Sequence, residues 1–282
     1  MGTLFVVATP IGNLEDVTLR GLRTLREASL VLAEDTRRTR VLLTRHGIAA
    51  RPVSLHAHNE AERSVAVLEA LAAGRSVALV SDAGTPLVSD PGERLVAAAV
   101  AAGHDVVPVP GPSAVLAALA AAGLPATAFT MLGFLPRRAS ARLALLRRFR
   151  STPETLVLFE APGRTGATLA ALHQALGERP ACVARELTKV HEELIRGPLS
   201  QLAERFAAQP PRGEVTLVVG GAPEGAEAAA GDADEEPPLD ERIRALVAAG
   251  RSPREVAAAL GKARGVPRRE IYARAVRARE GS

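Results

Sequence analysis

The sequence predicts an α/β protein built as two consecutive α/β domains followed by a small helical module. Three observations point there. Short apolar runs alternate with amphipathic segments in the first half, the same alternation restarts after Gly123-Leu124-Pro125, and beyond residue 238 only basic helical segments remain. Alternating strand and helix signals are the pattern of a largely parallel sheet covered by helices. The divisions fall at 1–120 for an N-terminal α/β domain, 121–221 for a second, 222–238 for an acidic linker and 239–282 for the helical module.

In the first domain Leu4–Ala8, Leu30–Ala33, Val77–Val80 and Val106–Val109 are continuous apolar runs of strand length. Leu19, Leu22, Leu25 and Ala28 recur at helical spacing, with Thr18 placed to cap the helix. Asn59 and Glu62 have the offset of a capping box ahead of Val65, Leu68 and Leu71. Asp90, Pro91 and Glu93 open a further helix that Gly103 closes, and an Ala-rich helix follows Ser113. In the second domain, strands are predicted at Thr127–Leu132, Leu156–Phe159, Ala181–Ala184 and Val215–Val219, mixed in direction, with helices over about 139–150, 165–176 and 199–208. The Gly-, Ala-, Pro- and acid-rich segment 222–238 cannot bury enough apolar surface to order itself. Leu239–Ala249, Pro253–Leu260 and Pro267–Arg279 then read as three short helices resembling a helix-turn-helix, broken by Gly250 and by Gly261 to Gly265. Independent stability is marginal below about 40 residues, so this module is expected to dock on something.

Hydrophobic residues make up 47% of the 282, but aromatics only 2% and there is no Trp, so the core must be built mainly from Ala, Val and Leu. Cys182 is the only cysteine, which excludes a disulfide framework and a cysteine-based zinc site. No basic stretch precedes the first apolar run, and no window approaches the roughly 20 apolar residues of a membrane span. A cytoplasmic protein without a membrane partner is expected. The net charge of +4 hides an asymmetry: residues 222–241 hold eight acids and no base, whereas 242–282 hold eleven bases against three acids. Basic charge gathered at one end favours a polyanionic partner.

Three Gly/Pro-rich loops follow predicted strands, where open α/β sheets place their ligands. The first, Ala8 to Leu14, is neither a P-loop nor a GxGxxG, so ATP or GTP hydrolysis has no support. The second runs from Val80 to Pro86 with Ser89-Asp90-Pro91-Gly92 behind it; Asp82 could accept hydrogen bonds from a ligand or simply make an Asx turn. In the third, Val109 to Ala114, Ser113 could cap the helix or offer its hydroxyl. His56 and His58 would share a face of a strand, but no further ligand accompanies them, so no metal site is expected. No Gly-x-Ser-x-Gly elbow exists to support a serine hydrolase.

Taken in order, Ala8-Thr9-Pro10-Ile11-Gly12-Asn13-Leu14-Glu15-Asp16, Ala33-Glu34-Asp35-Thr36-Arg37, His56-Ala57-His58-Asn59-Glu60, Ser81-Asp82-Ala83-Gly84-Thr85-Pro86, Pro110-Gly111-Pro112-Ser113-Ala114, Gly133-Phe134-Leu135-Pro136-Arg137 and Arg185-Glu186-Leu187-Thr188-Lys189 resemble the tetrapyrrole-methylase superfamily. The wording is similar to its ribosomal RNA small-subunit methyltransferase I branch, over about residues 3 to 220. One departure stands at Glu160-Ala161-Pro162-Gly163-Arg164, where the resemblance leads one to expect His in place of Gly163.

The resemblance implies two α/β domains of tetrapyrrole-methylase type with S-adenosylmethionine in the cleft between them, a homodimer, and methylation of a cytidine 2′-hydroxyl near the decoding centre. The substrate would be 16S ribosomal RNA or the 30S subunit. Carried over, the donor site comprises Pro10, Ile11, Asp82, Gly84, Thr85, Ser113 and Ala114, then Leu132, Phe159, Glu160 and Ala184 at second-domain strand ends. RNA contacts are expected from Arg37, Asn59, Arg137, Arg138 and Arg142. Similar folds methylate porphyrin-like rings or a protein, and a non-catalytic ribosome-assembly factor is the rival outside enzymology. Lys189 draws notice because the chain has 33 arginines and two lysines. A ribose hydroxyl needs alignment and a base or positive charge, and a buried Lys can supply either. Lys189, Glu186, Glu34 and His56 are therefore the catalytic candidates, with a structural or donor-positioning role for Lys189 left open.

Overall fold

The computed structural model describes residues 2–223, 239–261 and 266–280. Two compact units divide the chain, Met1–Glu224 and Gly225–Ser282. Most of the acidic segment 222–238, and the break 262–265, lie outside the described residues.

The first unit contains two five-stranded sheets. In the first, β1 (Thr3–Val7), β2 (Leu30–Ala33), β3 (Val53–Ser54), β4 (Val77–Val80) and β5 (Asp105–Val109) are parallel in the order β3-β2-β4-β1-β5. The helices between them are α1 (Leu19–Glu27), α2 (Thr36–Arg45), α3 (Glu60–Ala72) and α4 (Glu93–Ala101). The chain leaves β1 toward β2 and leaves β4 toward β5, in opposite directions along the sheet, so the C-terminal ends of β1 and β4 bound a crevice.

Helix α5 (Ala114–Ala122) spans residue 120 and ends on Gly123 at φ +74°. Its small side chains Val115, Ala118 and Ala122 pack with Val157, Cys182, Ala184 and Val218 of the second sheet. That sheet joins β6 (Phe129–Phe134), β7 (Thr155–Glu160), β8 (Pro180–Arg185), β9 (Glu193–Pro198) and β10 (Val215–Val219) in the order β6-β7-β10-β8-β9. Only β6 and β7 are parallel, so the strand directions are mixed. Its other face carries α6 (Ala139–Arg147), α7 (Thr165–Leu176) and α8 (Leu199–Ala208) over a Leu-rich core.

Most expected elements are present within one or two residues, and Thr18 caps α1 by accepting from the Gly21 amide at 3.0 Å. Three were not expected. Helix α2, Thr-Arg-Arg-Thr-Arg-Val-Leu-Leu-Thr-Arg, buries only Thr39, Leu42 and Leu43; β3 is two residues long; β9 is an edge strand burying only Ile195. Each has too little apolar patterning to register alone.

Two capping expectations are corrected. Asn59 makes no capping bond to α3; its Oδ1 accepts from the His56 amide (2.8 Å) and its Nδ2 donates to Ser54 O (3.3 Å). Asp90 does not cap α4 either. Gly92 stands at the N-cap with φ +120°, where a Cβ would meet Leu79 Cδ2 at 2.7 Å. The caps come from α3, where buried Glu60 accepts the Arg94 and Leu95 amides through Oε1 at 2.9 and 3.2 Å. Charged hydrogen bonds of this kind contribute about 1.5–3 kcal/mol. Glu60→Ala should therefore cost about 2–3 kcal/mol in urea unfolding, and Glu60→Gln, which keeps an acceptor, clearly less; equal stabilities would remove this cap from the account.

The second unit contains α9 (Leu239–Ala248), α10 (Pro253–Leu260) and α11 (Arg268–Glu280) around Ile243, Val256, Leu260 and Ile271. Ser252 and Glu255 form a complete capping box on α10.

Candidate active site

The loops leaving β1, β4 and β5 meet the ends of β7, β8 and β10 around a cavity of about 410 Å³. Thr9 and Gly84 tie the first two loops together through reciprocal backbone hydrogen bonds of 2.9 Å. Gly84 stands at φ +84°, and a Cβ there would meet the Ile11 side chain at 3.4 Å. In the same loop Leu87 and Ser89 are held at φ 74° and 71°, a backbone region that costs non-glycine residues about 1–3 kcal/mol each and recurs at functional sites.

Carboxylates dominate the polar lining. Asp82 Oδ1 accepts the Asp35 amide at 2.8 Å, and Oδ2 lies 3.6 Å from Arg38 Nε, so the side chain braces the loop after β2 while facing the cavity. Glu34 borders the same space, its carboxyl raised above the usual range by burial and then by the charge of Asp82. Asp90 is pushed up to about 6, chiefly by burial, with Glu34 and Asp82 adding to it. Apolar surface comes from Ile11, Ala114, Phe134, Phe159 and Leu187.

Of the residues expected at the donor site, Ile11, Asp82, Gly84, Thr85, Ser113, Ala114, Phe159, Glu160 and Ala184 line the cavity. Pro10 and Leu132 do not; Leu132 turns into the Leu-rich core behind β6. Ser113 caps α5, accepting from the Leu116 amide. The Glu160 side chain has no exposed surface. Thr168 Oγ1 donates to it at 2.5 Å, the Ala161 amide at 2.8 Å, and Arg164 lies 3.3 Å away, so the carboxylate is bonded within the protein and buttresses the wall. A Cβ on Gly163 would meet nothing within 4 Å, so the departure there leaves open space and no packing defect.

Among the catalytic candidates only Glu34 faces the cavity. His56 lies in the turn after β3, which ends at Ser54; it does not share a strand face with His58, and the rings meet edge-on at 5.9 Å. Lys189 Nζ lies between Glu186 Oε1 (2.9 Å) and Glu214 Oε2 (3.1 Å). Burial alone would lower its pKa, but these carboxylates outweigh burial and hold it above the ordinary lysine value. Lys189 is thus a fixed cation, not the neutral amine a general base requires. Glu186 and Thr188 stand at φ 50° and 65°, and the segment is a turn, neither helical nor extended. The turn is wedged against the first loop: Thr188 Oγ1 accepts the Asn13 amide at 3.0 Å, and a Cβ on Gly12 would lie 2.5 Å from Lys189 Cγ. Through Leu187 and Glu214, which border the cavity, this ion-paired turn shapes its wall.

The expected RNA contacts divide. Arg137 and Arg138 are exposed before α6. Arg37 is exposed but holds Asp35 through Nε and Nη2, keeping that carboxyl at about 2. Asn59 is consumed by its own turn, and Arg142 is half-buried with an unpartnered Nε. Asp90, Arg38 and Glu214 also line the cavity, beyond the residues the sequence points to; Asp90 sits only eight residues after Asp82 in the same Gly/Pro-rich stretch, the one sequence signal for it. Among the described residues no group of three His, Cys, Asp or Glu side chains could hold a metal ion.

The profile of the Tetrapyrrole (Corrin/Porphyrin) Methylases matches residues 3–203. A ribosomal RNA small subunit methyltransferase I from Mesorhizobium japonicum is 50% identical over 247 residues, covering 87% of this chain and 82% of its own length. The protein of that name from Thermotoga maritima is 45% identical over 221 residues, 78% of this chain and 99% of its own. Among solved structures, the uroporphyrin-III C-methyltransferase of Thermus thermophilus complexed with S-adenosyl homocysteine superposes with a TM-score of 0.56. It is 23% identical and covers 81% of this chain and 100% of that one, a likeness of fold alone.

Proposed function

We infer the function from one premise: the chain belongs to the tetrapyrrole (corrin/porphyrin) methylases and, within them, to the ribosomal RNA small subunit methyltransferase I family. It is an S-adenosylmethionine-dependent methyltransferase that modifies small-subunit ribosomal RNA, and the acceptor is the 2′-hydroxyl of a cytidine near the decoding centre. The observation that carries this reading is a cavity of small-molecule size in which Glu34, Asp82 and Asp90 face apolar walls.

That lining fits the donor. Five carboxylates line the cavity; with Glu160 held by Thr168 and Glu214 by Lys189, Glu34, Asp82 and Asp90 remain against the single lining cation Arg38 and favour a positively charged ligand, while Ile11, Ala114, Phe159 and Leu187 suit a flat, apolar ring. When bound, S-adenosylmethionine supplies an electrophilic methyl group on a sulfonium. Transfer would break the methyl–sulfur bond as the C–O bond forms, releasing the neutral thioether, and the acceptor hydroxyl must lose its proton; Asp90, which lines the cavity with Glu34 and Asp82 and is pushed up to about 6, takes it. Glu34 and Asp82 hold the surrounding charge, and Lys189 fixes the wall carrying Leu187 and Glu214.

The protein acts in the cytoplasm, on 16S ribosomal RNA or the 30S subunit; among the described residues no helix is long and apolar enough to cross a membrane. A homodimer belongs to this reading, supported by Leu19, Leu116 and Val190, apolar side chains more than half exposed. Light scattering that gives a monomer mass at working concentration would remove it.

The test is to incubate the protein with labelled S-adenosylmethionine and undermodified small subunits, then locate the label by digestion. Label on a cytidine ribose is expected; label on a base, a porphyrin precursor or a protein would overturn the acceptor. Asp82→Ala should also weaken S-adenosylmethionine binding about tenfold or more, through loss of a charged contact and release of the Asp35 amide. Unchanged affinity in a folded variant takes Asp82 out of the site.

A further inference from the structure

We propose that the C-terminal unit carries an RNA-binding face of its own, made by Arg254, Arg268, Arg269 and Tyr272, which grips phosphates and stacks a base of the substrate RNA. This rests on the reading that the substrate is ribosomal RNA.

The four side chains line one shallow concavity of about 510 Å³ floored by Ala257. Tyr272 follows the fully buried Ile271 yet is 47% exposed, so it points away from the unit's small core. Three of the acids are engaged elsewhere. Asp240 and Glu270 are drawn to Arg274, and Glu255 folds back on Ser252. Among the described residues no carboxylate pairs with Arg254, Arg268 or Arg269, which leaves this face positive and unneutralised.

These arginines do not serve helix stability. Arg254 lies in the first turn of α10 and Arg268 and Arg269 open α11, positions where a cation opposes the helix dipole. Their chemistry suits an anion instead: a guanidinium presents a fork matched to phosphate oxygens. Arginines around one exposed aromatic ring form the combination that tracks a nucleic-acid backbone while stacking a base. A protein partner with an acidic surface would satisfy the arginines but has no need of a stacking ring.

The test uses the full-length chain and a labelled single-stranded oligoribonucleotide, with affinity measured across salt concentrations. Replacing all three arginines (Arg254→Gln, Arg268→Gln, Arg269→Gln) should weaken binding at least tenfold and lower the slope of log affinity against log salt by about 2, at roughly 0.7 per lost phosphate contact. Tyr272→Leu should weaken binding about tenfold while Tyr272→Phe retains it. Calorimetric binding of S-adenosylmethionine should be unchanged in every variant. A triple variant with wild-type affinity and salt slope, still methylating small subunits, overturns this face and leaves the enzymatic reading intact. Tyr272→Leu binding as well as Tyr272→Phe overturns the stacking. A wild-type chain that neither binds nor methylates ribosomal RNA overturns the substrate reading itself.

Discussion

Asp90→Asn is expected to slow single-turnover methyl transfer about a hundredfold at pH 8, the usual scale for a lost general base, while S-adenosylmethionine affinity changes much less. The amide keeps the size of the side chain and its place beside Ser81 but cannot accept the proton. Burial and the neighbouring Glu34 and Asp82 raise the carboxyl to about 6, so kcat/KM should climb tenfold per pH unit below that value and flatten above it. The substitution should erase that limb. Stability should move oppositely. A carboxyl whose folded pKa exceeds its unfolded value contributes stability below the unfolded value and loses it as pH rises through the folded one. At pH 8 the wild type bears that loss, so the variant should be more stable by about 1–2 kcal/mol, allowing for partial exposure. A variant with a normal single-turnover rate at saturating donor but a donor affinity lowered tenfold or more would make Asp90 a binding residue.

The second large effect is expected from Gly12→Ala. The new methyl group would stand 2.5 Å from Lys189 Cγ, 2.8 Å from Thr188 Oγ1 and 2.9 Å from the Leu187 carbonyl oxygen, so the turn must shift. Since Leu187 borders the cavity, donor affinity should fall at least tenfold, or more than about 1.4 kcal/mol. Lys189→Met should act on the same wall by a different route, leaving Glu186 and Glu214 to repel one another across 28 residues of sequence. Lys189→Arg should retain much of the function because it keeps the charge, whereas a general-base lysine would be disabled by both changes. If Gly12→Ala and Lys189→Met bind and turn over like the wild type, the ion-paired turn plays no part in shaping the site.

What the sequence discloses about this site depends on how local each property is. Val77–Val80 and Val215–Val219 are buried along their whole length and read as strands without further help. The loop after β4 is equally legible, because Gly84 and the prolines that follow it, Pro86 and Pro91, mark a turn at a strand end. Asp90 reads as a helix opener because Asp-Pro before a helical pattern has that local meaning; its place beside Glu34 and Asp82 exists only after β2 and β4 pair. Lys189 shows its charge but not the second carboxylate, which β10 brings back from residue 214. Glu160 looks like a ligand at a strand end until Thr168, one helix later, closes over it. Position in a loop is local information; which way an acid turns is decided by distant partners.

Tyr272 has a practical consequence for studying the molecule. The chain contains no tryptophan and one tyrosine, and that tyrosine lies in α11 of the second unit. Its intrinsic ultraviolet emission therefore reports on Gly225–Ser282 alone, while far-ultraviolet circular dichroism is dominated by the helices of Met1–Glu224. Followed together through a thermal ramp, the two signals separate melting of the small unit from that of the large one without any label. Coincident transitions would mark a single cooperative system, and an early loss of tyrosine signal would mark two.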